Sequence, residues 1–150
     1  MRDQPILKIR RKAGTEDLPL PQYMSEHAAG LDLYAANDEP VTIEPGQIRL
    51  IPTGLFLEIP PGYEGQVRAR SGLALKHGLM LPNSPGTIDA DYRGELQVIL
   101  GNVAREPYTI TRGMRFAQLV IARVDQVRIE VHEELGGTTR GGGGFGHTGH

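Results

Sequence analysis

The chain has 150 residues, enough for one domain that buries roughly two-thirds of its unfolded surface without disulfide help. It contains no cysteine, which excludes thiol nucleophiles and thiolate metal sites and fits a reducing compartment. A net charge of −2 and a pI of about 6.2 exclude a basic field for non-specific nucleic-acid binding, and no apolar run approaches the roughly 20 residues of a membrane-spanning helix.

The N-terminal stretch is too charged to hold the apolar core of a signal peptide, so the expectation is a soluble, cytoplasmic protein. Twenty glycines and eleven prolines punctuate short apolar runs, the pattern of an all-β domain.

In chain order, Ile6 to Arg10 reads as a short strand, followed by a loop to Gln22. Ala28 to Ala36 reads as a strand in which Leu31 and Leu33 alternate with Asp32 and Tyr34. Val41 to Ile43 crosses between turns. Gln47 to Ile59 is a long strand pattern, with Ile48 and Leu50 and then Leu55, Leu57 and Ile59 expected inside. Pro52-Thr53-Gly54 in its middle predicts a bulge or corner. Gln66 to Arg70 alternates again, and Ser71 to Gly78 predicts the one short helix, with Ser71 as N-cap and Gly78 closing it.

Asn83 to Val98 reads as a tight hairpin whose turn carries two carboxylates, a tyrosine and an arginine; Gly94 permits the close or positive-φ backbone of the reversal. Pro107 to Ile110, Arg115 to Val124 and Gln126 to Glu133 are the remaining predicted strands. Arg115 to Val124 is apolar on both faces apart from Gln118, so it should be buried on both sides. From Gly136 the composition collapses to Gly, Thr, Arg, His and one Phe, too little apolar area to offset ordering entropy. The expected fold class is all-β: a jelly-roll-like distorted β-barrel of about ten strands over residues 1–135, with one short helix and a flexible glycine-rich tail at 136–150.

Five stretches place polar groups or glycine inside this apolar pattern. They are Ala28 to Ala36 around Asp32; Arg68 to Gly72, where an Arg-bearing strand runs into a helix start with a hydroxyl; the predicted hairpin; Arg112 to Gln118; and Arg140 to Gly149. The second offers N–H groups, a hydroxyl and a guanidinium to an anion. The tail is like a phosphate loop in composition but lacks the lysine and following helix of G-x-x-x-x-G-K-[ST]. Bland roles stand beside these: Asp32 capping a turn, Arg68 and Arg115 paired at the surface, Gln118 satisfying a backbone group. The five histidines fall in no metal-ligand spacing, and no Gly-x-Ser-x-Gly elbow is present.

Taken together and in order, Ala-Ala-Gly-Leu-Asp-Leu, Arg-Ser-Gly-Leu-Ala, Gly-Thr-Ile-Asp-Ala-Asp-Tyr-Arg-Gly, Arg-Gly-Met-Arg-Phe-Ala-Gln-Leu and Arg-Gly-Gly-Gly-Gly-Phe-Gly-His-Thr-Gly make the chain resemble the trimeric deoxyuridine triphosphate nucleotidohydrolase (dUTPase) family across residues 28–149. The resemblance implies a jelly-roll subunit, a homotrimer with active sites shared between subunits, and hydrolysis of dUTP to dUMP and pyrophosphate with Mg²⁺ on the triphosphate. It implies neither a nucleic-acid partner nor a membrane. By its motifs Asp89 is the water-activating carboxylate and Asp91 shapes the hairpin. Tyr92 packs on the deoxyribose, leaving no room for a 2′-hydroxyl. The backbone at Gly86, Thr87 and Ile88 pairs with uracil, Asn83 lies near the base and the water, and Gln97 lies near the base through its main chain. Arg70, Ser71 and Gly72 hold phosphates, and Asp32 and Gln118 act through the waters of Mg²⁺. In the tail, Arg140, Gly146 and Thr148 contact phosphates and Phe145 stacks over uracil, while His147 stands where many relatives have Ser.

Two other readings are weighed against it. The related dCTP deaminases need a glutamate base and a Ser-Arg-Ser-type phosphate motif, whereas this chain has Asp89 in Thr-Ile-Asp and Arg-Ser-Gly. A non-catalytic jelly-roll module has little need of Asp89, Tyr92, Arg140 and Phe145 together.

Overall fold

The computed structural model describes residues 4–149, which form eleven strands and one helix. The strands are β1 (Lys8–Arg11), β2 (Gln22–Tyr23), β3 (Leu31–Tyr34), β4 (Val41–Ile43), β5 (Ile48–Glu58), β6 (Tyr63–Ala69), β7 (Leu79–Met80), β8 (Gly86–Ile88), β9 (Glu95–Asn102), β10 (Tyr108–Ile110) and β11 (Arg115–Arg123), with α1 (Ser71–His77) between β6 and β7. All described pairings are antiparallel. They build a four-stranded sheet in the order β1-β5-β9-β7, a five-stranded sheet β2-β3-β11-β6-β8 and a small pair β10-β4. The arrangement is the expected all-β, jelly-roll-like fold, with its sheets left open rather than closed into a barrel.

The core lies between the two large sheets. Ile51, Leu55, Leu57, Leu96, Val98 and Leu100 come from the four-stranded sheet, and Leu33, Val67, Ala117 and Leu119 from the other, all buried. Burial of side chains of this size, at roughly 1.5–3 kcal/mol each, is what offsets the entropy of ordering so many short strands. β3 and β11 sit centrally in their sheet, so even their polar positions are shielded: Asp32 is buried and Gln118 half-buried.

The predicted bulge is present. The β5–β9 register shifts between Pro52 and Leu55, with Gly54 at a left-handed φ of 68°. The strand direction before it differs from expectation. Ile48 and Leu50 are exposed and Ile51 is buried, so the apolar residues ahead of the bulge face outward. Alternation alone cannot say which face is inside when both faces carry apolar residues.

Helix α1 also departs in detail. Its N-cap is Arg70 in extended conformation with no side-chain cap, and Ser71 is the first helical residue; Gly78 closes the helix in the left-handed conformation, as expected. Gln126 to Glu133 forms no strand. Val127, Ile129 and Val131 alternate as a strand should but are 80–97% exposed, because no described strand lies beside them. β1 runs from Lys8 rather than Ile6, where Glu58 opposes Lys8 across the β1–β5 pair.

Candidate active site

Asp32, Gln118 and Arg68 occupy one cross-strand row, because β3 and β6 flank β11 with Asp32 and Arg68 each opposite Gln118. A carboxylate as buried as Asp32 needs a partner of opposite charge. Arg115 supplies it, Nη1 donating to Asp32 Oδ2 at 3.1 Å, and Arg70 Nε lies 3.9 Å from Oδ1. Arg70 is fixed in turn by donating from Nη1 to the Arg115 carbonyl at 2.8 Å. Gln118 donates from Nε2 to the Ala69 carbonyl at 2.9 Å, the backbone-satisfying role weighed for it above. Gly30 is needed here, since a Cβ at that position would overlap the Gln118 carboxamide.

Asp32, Arg70, Ser71, Gly72 and Gln118 line one cleft of about 420 Å³ together with Lys76 and His77. Its cations outnumber its single carboxylate, and Ser71 adds a hydroxyl, a chemistry suited to phosphate oxygens. Sequence reasoning did not include Lys76 and His77 in the site. Lys76 lies four residues after Gly72 and so shares its helix face, a signal that was available once the helix was placed.

A second cleft, about 890 Å³, is lined by Thr87, Asp89, Asp91 and Arg93 with Glu58, Glu64 and Asp125 among others. It does not sit on a hairpin. β8 pairs with β6 through Gly86↔Val67, Thr87↔Gln66 and Ile88↔Gly65, while β9 pairs with β5, so residues 89–94 cross between the two sheets. The sequence expectation of one tight hairpin is therefore corrected. Each strand's partners lie far away in sequence, where local turn signals cannot point. The consequence is a gap. β8 is a sheet edge, and β9 from Glu95 to Leu100 has a strand partner on one side only among the described residues.

The crossing turn is held by its own main chain and by Arg93. Tyr92 N–H donates to the Asp89 carbonyl at 3.1 Å, and Arg93 Nη1 donates to the carbonyls of Ala90 at 2.7 Å and Tyr92 at 3.1 Å. Tyr92 folds its ring over Gly94, where any Cβ would overlap it, and its hydroxyl donates to the Glu95 carbonyl at 3.0 Å. Asp89 is exposed and enters none of the ion pairs among the described residues, and the same holds for Asp91. Asn83 is exposed in the turn just ahead of β8, its amide near Gly86. Gln97 is exposed on β9 and donates to Glu95 Oε2 at 3.4 Å.

The tail reaches neither cleft. It coils on itself, Arg140 Nε donating to the Gly143 carbonyl at 2.6 Å and His147 N–H to the Gly144 carbonyl at 3.1 Å. Phe145, Gly146 and Thr148 are exposed. Arg112, from the fourth stretch, is a staple. Its guanidinium donates to Asp17 and to the carbonyls of Gly14 at 2.8 Å and Ala36 at 3.1 Å, tying the loop after β1 to the end of β3.

The described residues hold no group of three or more His, Asp or Glu side chains able to cage a metal. Asp32 alone, already engaged by two guanidiniums, fits Mg²⁺ only as a partner of its water shell, with phosphate oxygens as the direct ligands; Mg²⁺ favours that mixture of waters and phosphates.

Fold and clefts together define a jelly-roll-like protein with a cationic cleft suited to an anionic ligand. The sequence model of the dUTPase family matches residues 16–149. Deoxyuridine 5′-triphosphate nucleotidohydrolases of Caldanaerobacter subterraneus subsp. tengcongensis and Rhizobium leguminosarum bv. trifolii are 56% and 55% identical over 144 and 148 residues, covering 96% and 97% of this chain and 97% and 95% of theirs. The solved dUTPase of Staphylococcus bacteriophage 80alpha with dUPNHPP superposes with a TM-score of 0.85 at 26% identity, over 96% of this chain and 98% of that one. A dUTPase of phage phi11 of S. aureus, whose structure describes coordination of a structural Mg(II) ion, gives 0.77 at 27% identity, over 87% and 98%. The chain belongs to the dUTPase family.

Proposed function

We infer that this protein hydrolyses dUTP to dUMP and pyrophosphate, limiting uracil in DNA and supplying dUMP for thymidylate synthesis. The observation that carries the site assignment is the division of charge between the two clefts. The first is cationic and hydroxyl-lined; the second carries Glu58, Glu64, Asp89, Asp91 and Asp125 against Arg93. A triphosphate is drawn to the first and repelled by the second, whereas a neutral base is tolerated beside the acidic turn.

In this reading uracil enters the gap between β8 and β9, where the backbone of Gly86, Thr87 and Ile88 meets its polar edge. Tyr92 covers the deoxyribose, Asn83 and the main chain of Gln97 border the base, and Arg70, Ser71 and Gly72 take the phosphates. Asp89, without a counter-ion, accepts the proton of a water as that water's oxygen bonds to the α-phosphorus. The bond from that phosphorus to the bridging oxygen breaks, and pyrophosphate leaves with the electron pair. Arg70, and Arg140 and Thr148 from the tail with Gly146, stabilise charge on the phosphates. Asp32 and Gln118 would hold the waters of an Mg²⁺ bound to the triphosphate, which would supply charge neutralisation there.

No residue lines both clefts. In this reading one nucleotide spans two chains, one giving the base site and the other the phosphate cleft, and the separate linings support a homotrimer with shared sites. Exposed Val127, Ile129 and Val131 need cover that a neighbouring subunit would supply. Residues 136–150, of which His150 lies outside the described residues, form the segment that closes on bound nucleotide, with Phe145 on uracil, and residues 1–135, of which 1–3 lie outside them, form the body. The enzyme works in the cytoplasm.

The test is incubation with dUTP, dCTP, dTTP and UTP in the presence of Mg²⁺, reading pyrophosphate and ammonia. Pyrophosphate from dUTP alone supports the proposal. Ammonia from dCTP moves the protein to the deaminases, and no turnover of any moves it to the binding modules.

A further inference from the structure

The bulge in β5 has a partner at the start of β9, just after the turn that carries Asp89. Thr53 Oγ1 donates to the Leu96 carbonyl at 2.5 Å and accepts from Leu55 N–H at 3.3 Å, and Gly54 N–H donates to Glu95 Oε1 at 3.0 Å. Lys12 Nζ lies 3.5 Å from Glu95 Oε2. The Glu95 side chain is 14% exposed, so these contacts fix it rather than decorate it. The main-chain carbonyl of the same residue receives the Tyr92 hydroxyl at 3.0 Å. Only Arg93 and Gly94 separate the two residues, and the missing side chain of Gly94 lets the Tyr92 ring lie against the backbone.

We propose that Glu95 is a positioning residue that transmits the β5 bulge to Tyr92 and thereby sets discrimination against ribonucleotides. This rests on the reading of Tyr92 as the residue packed on the deoxyribose. A ring excludes a 2′-hydroxyl only if it cannot back away. The hydroxyl-to-carbonyl bond ties the ring to Glu95, and the carboxylate ties Glu95 to Gly54 of the neighbouring strand. The bulge is what makes this possible: the extra residues between Pro52 and Leu55 turn the Gly54 N–H away from the ladder and toward the carboxylate. Glu95 touches no reacting atom in this reading, and its effect falls on selectivity.

The experiment measures kcat/KM for dUTP and for UTP in the wild type, Tyr92→Ala, Tyr92→Phe, Glu95→Ala, Glu95→Gln and the Tyr92→Phe/Glu95→Ala pair, with circular dichroism confirming each fold. Glu95→Ala is expected to lower the dUTP-to-UTP ratio roughly tenfold, the scale of one lost charge-assisted hydrogen bond, chiefly by raising turnover of UTP. Glu95→Gln keeps an oxygen for the Gly54 N–H and should restore most of the ratio. Tyr92→Phe and Glu95→Ala should be non-additive, since they interrupt one chain of contacts. If Tyr92→Ala leaves the ratio unchanged, the Tyr92 reading falls and the proposal with it. If Tyr92→Ala lowers the ratio but Glu95→Ala does not, or the two effects simply add, the Tyr92 reading stands and the proposal is overturned. Should Glu95→Ala fail to fold, a Glu95→Gln ratio as low as that of Tyr92→Ala overturns it, and a near-wild-type one with a lowered Tyr92→Phe ratio supports it.

Discussion

Gln118 stands opposite Asp32 across the β3–β11 ladder and commits its carboxamide nitrogen to the Ala69 carbonyl, tying β11 to β6 at the floor of the cationic cleft. The stitch leaves no room on the far side, where Gly30 passes directly beneath the carboxamide. Gly30→Ala should therefore push Gln118 off Ala69 and destabilise the fold by about 1–3 kcal/mol, the usual scale of overpacking. Adding Gln118→Ala should recover part of the loss by making space. Urea unfolding of the two single variants and the double checks it; a double variant as unstable as the sum of the singles would remove the steric explanation.

Asp89 is exposed without a counter-ion, so its carboxylate is available to a water. Asp89→Asn keeps the shape and removes the base. It should leave folding and dUTP binding nearly unchanged while kcat falls roughly a hundred- to ten-thousand-fold. Isothermal titration with a non-hydrolysable dUTP analogue, beside steady-state kinetics, separates the two effects. Near-normal turnover in the variant would take the base role away from Asp89.

Much of this arrangement was readable before any coordinates, and the failures have specific causes. Strands β3, β5 and β6 are legible by alternation, β11 as a run apolar on both faces, and the bulge from Pro52-Thr53-Gly54, because these depend on neighbours in sequence. The stretch around Asp89 failed as a hairpin because pairing with β6 and β5 is decided by residues some twenty to fifty positions away. Ile48 and Leu50 were assigned to the wrong face since an apolar outer surface defeats the in–out rule. The Asp32–Arg115 pair is not legible in the sequence, where Asp32 reads as a turn cap and Arg115 as surface-paired, since nothing in either motif says that β3 lies beside β11.

The strand missing at Gln126 to Glu133 carries its own prediction. Val127, Ile129 and Val131 alternate in sequence along a segment that no described strand covers, and all three are exposed. If a second copy covers it in the proposed trimer, changing all three to Asp should shift the assembly to smaller species in light scattering, while a chain with three Thr at these positions keeps β-propensity and shifts less. An unchanged trimer in the Asp variant would show that assembly uses another surface.

Acid stability should depend on two surface carboxylates. Hydrogen bonds from Arg112 hold the Asp17 carboxyl below its ordinary range, and Lys8 does the same for Glu58. A carboxyl with a lowered folded pKa contributes stability that is fully present above its unfolded value, about 4, and is lost as pH falls through the folded one. Asp17→Asn and Glu58→Gln should therefore cost stability at pH 7 and cost progressively less in strongly acid solution. Unfolding at pH 7 and at about pH 2.5 tests the sign. A gap from wild type that stays constant between the two would mean that the ion pairs do not carry it.

Phe145 is fully exposed, and its φ of 52° puts a non-glycine residue in the left-handed region with no packing to hold it there. An aromatic in that state gains most from a planar partner, and a base supplies one. Phe145→Ala should weaken nucleotide binding by about 1–3 kcal/mol, as for stacking of one base, and leave unfolding unchanged because the ring touches no core. Removing residues 140–150 should go further. The cleft residues of the body remain, but the phosphate contacts and shielding of the reacting water proposed for the tail would be lost, so turnover should collapse while the assembly measured by light scattering persists. A shortened chain that falls apart would give the tail a structural role, and one that turns over dUTP normally would leave Phe145 and Arg140 without function in catalysis.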